Sequence, residues 1–391
     1  MSKLDILVKE INKNFKEDIA SRGIPVRHFQ KIPFSSPMLN YMTYGGIPRG
    51  RIIEFAGEEN GGKTTTALDI VANAQKLFID EYNNEIQEYD CKISEGRLSK
   101  EQQTRLKYLQ DRGCKKVVYC DCENTLDEQW AKKLGVDTDD MILLKPMSQT
   151  AEQIFEMLLQ MMETDEVGLV ILDSIGVMIS AQAYEKTMEE KTYGGIAAAL
   201  TLFSKKAELL CSKYDCTLIG INQMREDMNS TYGGQITTGG KGWKHQCSLR
   251  LMFRKGDYID ENNNSLKRSS TNPAGNLVEV AIAKTKVCNP DRRNGYYTLK
   301  YNSGIDIISD TVELACYYDI IQKAGAWFSI IDTNTGEIMQ NQVHTRYDEM
   351  GDCYEKEDLK FQGRPSLLQY LKENKDIFNK IYEQVQIKLQ G

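Results

Sequence analysis

The stretch GRIIEFAGEENGGKTT, residues 50–65, decides the fold of this chain. A strand-like apolar run leads into a glycine-rich turn with the spacing G-x-x-x-x-G-K-T, and a helical pattern then covers residues 63–81. The glycines let several backbone N–H groups point at one anion, to which the helix adds its positive N-terminal end. A chance match would not explain the strand before the turn and the helix after it. We therefore predict a loop that binds nucleotide phosphates.

The residue types in and near this turn indicate separate tasks. Lys63 can reach the β- and γ-phosphates, and the Thr64 hydroxyl can ligate Mg²⁺. Asp173 ends the buried run VGLVILDS, and a carboxylate at the carboxyl end of a parallel strand can hold the water shell of that ion. The nucleotide-binding residues predicted from the loop are Gly57, Glu58, Glu59, Asn60, Gly61, Gly62, Lys63, Thr64 and Thr65.

Two further strands end in polar side chains that suit hydrolysis of a γ-phosphate. VVYCDCEN ends with Asp121 and Glu123, and Glu123 can orient an attacking water unless it is a helix cap or a surface acid. GINQMR carries Gln223, whose amide is no base but can contact a γ-phosphate and signal to the loop that follows. That loop, residues 225–243, is rich in glycine and threonine. It fits either a single-stranded nucleic acid or a mobile surface loop.

Composition and charge limit the class of protein. The 391 residues allow one large domain with a smaller one, or two to three domains, and 41% apolar and 27% charged residues are typical of a soluble globular protein. The formal net charge of −7 argues against an overall coat of nucleic acid. Residues 225–255 hold six basic and two acidic residues, and residues 281–300 hold five and one. Solvated faces are the simple interpretation of these two basic windows.

The cysteines and the N-terminus indicate the compartment. Ten cysteines include no Cys-x-x-Cys pair and the chain has three histidines, so the sequence does not predict a zinc site. Most of the cysteines lie in apolar runs, as expected of a reducing, cytoplasmic environment. The first fifteen residues contain acidic side chains and no long apolar stretch, so they do not resemble a secretory signal.

Alternating strand-like and helical runs predict the architecture. Continuous apolar strands separated by helices indicate an α/β fold with a mostly parallel sheet, and the closely spaced later strands indicate an antiparallel extension. Residues 79–114 are highly charged and predict an inserted helical excursion. From about residue 311, short helices, an aromatic hairpin with a turn at residues 334–336 and a final helix predict a small α+β domain. The expected domains are 1–35, 36–310 and 311–391.

The N-terminal segment has apolar residues at helical spacing, which predicts a short amphipathic helix. Such a helix packs on its own domain or docks on a neighbouring subunit, and periodicity alone favours its own domain. The apolar positions are Leu4, Leu7, Val8, Ile11 and Phe15.

The ordered motifs together resemble one family. GRIIEFAGEENGGKTT, DCENTLDEQWAKKLGVD, LVILDS, GINQMR, TTGG and KAGAWFS have the order and spacing of the bacterial RecA recombinases. The resemblance runs from the N-terminal helix nearly to the C-terminus, and its divergence is typical of a distant member, such as one carried by a phage or mobile element. It implies a RecA-like P-loop NTPase core that binds ATP and Mg²⁺. It also implies that the N-terminal helix docks on the adjacent subunit.

The resemblance assigns roles around the nucleotide. Glu123 is similar to the carboxylate that activates water, and Gln223 to the switch that senses ATP. Asp127 and Trp130 correspond to positions that contact adenine, with Trp130 in place of the usual tyrosine. Lys284 and Lys286 resemble paired lysines that reach the γ-phosphate in the neighbouring subunit. The second basic window then has a reason other than solvation.

The resemblance also places two DNA-binding loops at about residues 184–195 and 225–243. Ala198 replaces a common arginine, and His245 stands where a bulky interface aromatic is usual. The DNA-binding residues implied are Tyr193, Gly194, Lys205, Arg225, Tyr232, Gly239, Gly240 and Lys241.

The implied activity is ATP-dependent strand exchange. Proteins of this family form a homo-oligomeric helical filament on single-stranded DNA and pair that strand with a homologous duplex. A RecA-like hexameric DNA motor or helicase, or a recombination mediator without strand-exchange activity, is the alternative. Such motors share the phosphate loop and the metal-binding aspartate but lack a GAWFS motif.

Overall fold

The computed structural model divides the chain into two compact units, Met1–Gln30 and Lys31–Gly391. In the first unit, helix α1 spans Lys3–Phe15, and its residues Leu4, Ile6 and Leu7 are exposed. The expected N-terminal helix is therefore present, whereas its docking partner stays a prediction. The structure describes residues 2–15, 30–187, 195–226, 235–267, 269–348 and 351–390.

The second unit contains the other helices, and none of the described helices of the chain is both long and apolar enough to cross a membrane. The helices are α2 (Pro37–Thr43), α3 (Lys63–Ser94), α4 (Lys100–Arg112), α5 (Glu128–Lys133), α6 (Ala151–Met162), α7 (Ala181–Tyr184), α8 (Ala197–Tyr214), α9 (Gly240–Gln246), α10 (Ile307–Tyr317), α11 (Arg364–Glu373) and α12 (Lys375–Gln390).

The strands alternate with these helices in the first half of the unit and follow one another in the second. They are β1 (Lys31–Ile32), β2 (Ile47–Pro48), β3 (Ile52–Gly57), β4 (Lys116–Asp121), β5 (Met141–Leu144), β6 (Val167–Asp173), β7 (Thr217–Glu226), β8 (Gln235–Thr237), β9 (Leu249–Ile259), β10 (Ser265–Leu266), β11 (Gly275–Thr285), β12 (Asn294–Lys300), β13 (Gly304–Ile305), β14 (Ile321–Ala324), β15 (Trp327–Ile330), β16 (Gln340–Asp348), β17 (Gly351–Asp358) and β18 (Lys360–Gln362).

The main sheet has eleven strands and carries the site. Its order is β13-β12-β11-β9-β3-β7-β6-β4-β5, with β10 beside β9 and β8 beside β7. The pairs from β9 to β5 are parallel, and those from β9 through β11 and β12 to β13 are antiparallel. The mostly parallel sheet with an antiparallel extension at one side is therefore confirmed.

Two hydrophobic cores cover the faces of this sheet. Successive strand residues point to opposite faces, so Val117 and Tyr119 join the core under α3, whereas Val118 and Cys120 join the core under α6 and α8. Continuous apolar strands arise because both faces are buried. A third core lies among α10, α11, α12 and the strands β14 and β15. The domain boundaries expected from the sequence stay predictions.

The parallel register brings the polar strand ends together. Gly57 at the end of β3 pairs with Gln223 of β7, and Asp121 at the end of β4 pairs with Asp173 of β6. All four residues lie at the carboxyl edge of the sheet, where ligands bind in open α/β sheets. The fold thus collects the motif residues from four separate strands.

The charged excursion is helical, but its shape differs from the expected one. α3 continues without a break through Ser94, beyond the helix expected to end near residue 81. Ser99 caps the N-terminus of α4: its hydroxyl accepts the Gln102 N–H while the Gln102 side chain accepts the Ser99 N–H. A serine followed three residues later by glutamine, as in LSKEQ at residues 98–102, is the sequence pattern of such a capping box. The helices were recognisable, whereas the uninterrupted length of α3 was not.

The C-terminal part contains strands that the sequence pattern did not predict. β16 and β17 form an antiparallel hairpin after the predicted turn, in a segment for which the sequence pattern predicted no specific element. The predicted turn at residues 334–336 is present, since Gly336 N–H donates to the Asp332 carbonyl and Ile331 bridges Ile338. The hairpin segment is polar, and its apolar and polar residues alternate only weakly. Its local sequence therefore favours neither a helix nor a strand.

A buried carboxylate joins α10 to the start of α2. Asp310 of α10 accepts hydrogen bonds from the Ser36 hydroxyl and from the Met38 N–H at 3.3 Å. Burial raises the pKa of Asp310 to about 7, and the nearby Glu313 and Asp306 charges act in the same direction. The folded chain therefore favours the protonated acid at this position.

We expect the substitution Asp310→Asn to remove a pH dependence of stability. Because the folded-state pKa of Asp310 is raised, its protonation stabilises the fold as the pH falls from about 7 towards the unfolded value. The difference in the free energy of unfolding between parent and variant should change by up to about 1.4 kcal/mol per pH unit in that range. Urea denaturation from pH 8 to pH 5 measures it. The exposed Asp111→Asn is the control, and parallel pH profiles for parent and Asp310→Asn would contradict the assignment.

Candidate nucleotide site

The phosphate loop links β3 to α3 through glycines that the packing requires. A side chain at Gly57 would place its Cβ 2.1 Å from the Phe253 carbonyl oxygen. Gly62 has φ +89 and precedes α3, and a Cβ there would lie 3.0 Å from the Tyr297 hydroxyl and from Val278. Within the described part of the chain, no side chain caps the α3 N-terminus at Gly62. Its first N–H groups are therefore offered to an anion, as the glycine-rich motif predicts.

Lys63 lies across its own loop. Its Nζ donates to the Gly57 carbonyl at 3.0 Å and to the Glu58 carbonyl, and the residue is 8% exposed. Burial lowers the pKa of Lys63, while the carboxylates of Asp173 and Glu123 oppose that shift. The ammonium is thus held at the mouth of the loop by weak neutral acceptors, which a phosphate oxygen can replace with a charge-assisted bond.

Thr64 and Asp173 meet beside the loop. The Thr64 hydroxyl donates to Asp173 Oδ2 at 3.0 Å, and the Tyr119 hydroxyl donates to the same oxygen at 2.7 Å. Burial raises the pKa of Asp173 to about 6, although both hydrogen bonds act to lower it. The two residues predicted to bind Mg²⁺ are therefore adjacent, and the contribution of Tyr119 was not apparent from the sequence.

Glu123 and Gln223 are in direct contact. Gln223 Nε2 donates to Glu123 Oε1 at 3.1 Å, and the Ser174 hydroxyl donates to the same oxygen. Asp121 instead accepts the Thr125 and Leu126 N–H groups and so shapes the turn after β4. Of the two acids that end this strand, Glu123 is the one that lines the cleft. The cleft of about 390 Å³ is lined by Glu59, Asn60, Lys63, Thr64, Glu123, Asp173, Ser174, Ile221 and Gln223.

A second cleft of about 370 Å³ shares the phosphate loop and extends toward Trp130. Trp130 Nε1 donates to Thr65 Oγ1 at 3.3 Å, which holds the indole against the start of α3. The Asp127 carboxylate caps α5 by accepting the Gln129 and Trp130 N–H groups. It orients the helix that carries Trp130, and its contact with adenine stays a prediction.

The opposite wall of this second cleft comes from residues that sequence analysis missed. Lys255, Asn276 and Tyr301 line it, and the Tyr301 hydroxyl donates to Asn276 Oδ1 at 2.8 Å. They belong to β9, to β11 and to the turn after β12, far from the loop in sequence. No local motif marks them, because the antiparallel pairing alone brings these segments to the loop.

Lys284 and Lys286 do not line either cleft of their own chain. Lys284 Nζ donates to the carbonyls of Lys244 at 2.6 Å and His245 at 2.9 Å, and Lys286 Nζ donates to His245 at 2.9 Å. These carbonyls belong to the last turn of α9, where the helix presents its negative end. Burial lowers the pKa of Lys284, and the Lys286 charge adds to that effect.

The residues implied in DNA binding lie on α8, β7 and α9 where they are described. Lys205, Arg225 and Lys241 are exposed, and Arg225 Nη2 donates to the Gly176 carbonyl at 3.1 Å. Gly239 and Gly240 have φ +90 and +75 and begin α9. Ala198 is exposed on α8. Three further predictions lie outside the described residues, namely Tyr193, Gly194 and Tyr232.

Comparison with known proteins gives one consistent result. The family model of the RecA N-terminal domain matches residues 2–82 and 103–306. Protein RecA of Malacoplasma penetrans (strain HF-2) is 28% identical over 380 residues, which are 97% of this chain and 93% of that protein. Protein RecA of Clostridium tetani (strain Massachusetts / E88) is 30% identical over 298 residues, 76% of this chain and 72% of that protein. The unmatched residues 83–102 belong to the charged excursion.

A solved structure was also found, described as the crystal structure of the RadB recombinase. It aligns with a TM-score of 0.44 and 18% sequence identity, and covers 68% of this chain and 95% of that chain.

We expect Lys63→Ala to weaken ATP binding roughly 10-fold to 100-fold, because a charge-assisted bond to phosphate is worth about 1.5–3 kcal/mol. The fluorescence of Trp130, which lies in the adjoining cleft, provides the titration signal. Lys107→Ala on the exposed face of α4 is the matched control and should bind ATP as the parent does. Equal ATP affinities for all three proteins would mean that Lys63 does not contribute to nucleotide binding.

Proposed function

The chain belongs to the RecA family, and from this premise we propose that it is an ATP-dependent homologous recombinase. It forms helical filaments on single-stranded DNA, pairs that strand with a homologous duplex and exchanges strands, and its ATP hydrolysis depends on DNA. The observation that carries the proposal is the convergence of Lys63, Thr64, Asp173 and Glu123 on one cleft beside the phosphate loop. That cleft lies in a chain similar to RecA proteins over nearly its full length.

The donor set of the cleft fits Mg²⁺. This ion prefers oxygen ligands and in nucleotide sites is bound by few protein groups together with phosphates and water. The Thr64 hydroxyl and the Asp173 carboxylate supply such oxygens, 3.0 Å apart. Within the part of the chain that the structure describes, no three His, Cys, Asp or Glu side chains gather as a metal cage. When bound, Mg²⁺ neutralises charge on the phosphates during transfer.

The chain's own residues divide the work of hydrolysis. Lys63 binds the β- and γ-phosphates, and Glu123 orients the attacking water and takes its proton. Ser174 and Gln223 hold the Glu123 carboxylate by donating to Oε1. When Gln223 turns to the γ-phosphate it releases one of these bonds. Nucleotide state is thereby coupled to the strand that leads into the loop at residues 225–243.

Lys284 and Lys286 complete the cleft of the adjacent subunit. They lie on carbonyls of α9 and away from their own cleft, which supports a role in trans. A cation that reaches the transferring phosphate from a neighbour stabilises the developing charge. One chain alone then hydrolyses ATP slowly. The N-terminal helix α1, with exposed Leu4 and Leu7, docks on the adjacent subunit.

DNA binding uses the surface around α8 and the start of α9. The exposed Lys205, Arg225 and Lys241 contact phosphates, and the glycines that open α9 allow close approach of the DNA backbone. Binding is therefore expected to depend on salt.

We expect the protein to form strand-exchange product when it is given ATP, Mg²⁺, single-stranded DNA and a homologous duplex. Heterologous duplex and omission of ATP are the controls, and neither should give product. Gel analysis of joint molecules measures the outcome. If the parent unwinds duplex without pairing it to the single strand, the protein is a DNA motor. If it binds both DNAs without exchange, it is a mediator. Either result overturns the proposal.

We expect two inactive variants to restore each other's activity if the cleft is shared between subunits. Glu123→Gln and the double variant Lys284→Ala/Lys286→Ala should each lose DNA-stimulated hydrolysis by roughly 100-fold or more. In an equimolar mixture, about one head-to-tail interface in four joins an intact cleft to intact lysines. Phosphate release should therefore recover to about a quarter of the parent rate.

The control for this experiment mixes two variants whose substitutions both lie in the cleft beside the phosphate loop. Glu123→Gln mixed with Asp173→Asn leaves every interface defective, so its activity should stay low. Recovery in the control mixture, or no recovery in the first mixture, would mean that the lysines do not act across the interface.

A further inference from the structure

Tyr119 is a buried polar residue that the proposed reaction does not yet use. Its ring is 1% exposed and packs in the core under α3, next to the strand that ends at Asp173. A phenylalanine would fill the same space without a hydroxyl that has to be desolvated. The hydroxyl donates to Asp173 Oδ2 at 2.7 Å. The sequence thus places a polar atom inside a core, and among the described residues its acceptor is Asp173.

The two donors on Asp173 share one oxygen. Thr64 Oγ1 lies 3.0 Å from Oδ2 and Tyr119 lies 2.7 Å from it, and the donors come from α3 and β4. Among the described residues, none donates a hydrogen bond to Oδ1. Two bonds from different elements fix the plane of a carboxylate more firmly than one does, because a single bond still allows rotation about it. Oδ1 is left as the oxygen for a further ligand.

Asp173 and Thr64 both line the cleft that we assign to the nucleotide. We propose that Tyr119 is a positioning residue for the metal ion, since its hydroxyl holds Asp173 Oδ2 and leaves Oδ1 to hold the water shell of Mg²⁺. The inference rests on the proposed use of ATP and Mg²⁺ and does not depend on strand exchange. Groups that orient a metal-binding side chain typically contribute 10-fold to 100-fold in metal affinity or activity.

A purely structural role for Tyr119 makes a different prediction. If the hydroxyl only satisfies its own burial, its removal changes stability and leaves the magnesium dependence of nucleotide binding unchanged. The substitution Tyr119→Phe keeps the ring and the core packing, so the folded protein remains available for measurement. Tyr297→Phe is the matched control. Tyr297 is also fully buried near the phosphate loop, but its hydroxyl bonds Thr66 at 2.8 Å.

The experiment measures binding of ADP to the full chain at increasing concentrations of Mg²⁺. Trp130 fluorescence gives the fraction of bound nucleotide, and a parallel titration with Mn²⁺, followed by electron paramagnetic resonance, gives metal binding directly. We expect Tyr119→Phe to raise the half-saturating concentration of either metal roughly 10-fold. ADP affinity without metal should equal that of the parent. Tyr297→Phe should match the parent in all three measurements.

Two outcomes would overturn the inference. One is a metal dependence of Tyr119→Phe that equals those of the parent and of Tyr297→Phe. The other is an equal loss of ADP affinity with and without metal, which would indicate a general distortion of the cleft. Failure of the proposed function is recognised separately, because it appears in the parent as absence of strand-exchange product.

Discussion

The buried carboxylate of Glu54 is the interaction on which the arrangement of the site depends. Glu54 is fully buried in β3 and accepts hydrogen bonds from Asn222 at 2.8 Å, from Trp243 at 3.0 Å and from the Arg250 guanidinium. Removing any partner of such a charge is strongly destabilising, since water no longer solvates it. Its partners belong to β7, α9 and β9. One charge therefore fixes the strand of the phosphate loop against the strand of Gln223 and against α9.

The same constraint determines where Lys284 and Lys286 lie. α9 is anchored through Trp243, and the carbonyls of its last turn accept both ammonium groups. Those carbonyls carry only partial negative charge, so two like charges remain side by side, and burial together with Lys286 lowers the pKa of Lys284. An anion that approaches from outside the chain relieves this repulsion. This arrangement supports the proposal that the lysine pair meets a phosphate bound by the adjacent subunit.

The sequence predicts those site residues that lie in or next to a recognisable local motif. Glu123, Asp173 and Gln223 each follow an apolar run, and parallel strands bring their carboxyl ends to one edge. Lys255 and Tyr301 could not be predicted as site residues, because long-range antiparallel pairing brings them to the wall of the second cleft. The role of Tyr119 could not be predicted for another reason. In the sequence, a tyrosine in a buried strand looks like any core aromatic residue, and only the structure shows which acceptor its hydroxyl bonds. The β16–β17 hairpin could not be predicted because its polar sequence has neither a clear helical nor a clear strand periodicity.

The charged excursion at residues 79–114 lies far from the nucleotide site, although it continues the helix that begins there. α3 starts at Lys63 in the cleft, and its buried residues end at Phe78, although the helix continues to Ser94. A helix of 32 residues is about 48 Å long, so its added turns lie far from the phosphates. Leu106 and Leu109 of α4 are buried and anchor the returning helix. Because extra residues at the C-terminal end of a helix leave the geometry of its N-terminus unchanged, the chain can diverge there and keep its phosphate loop.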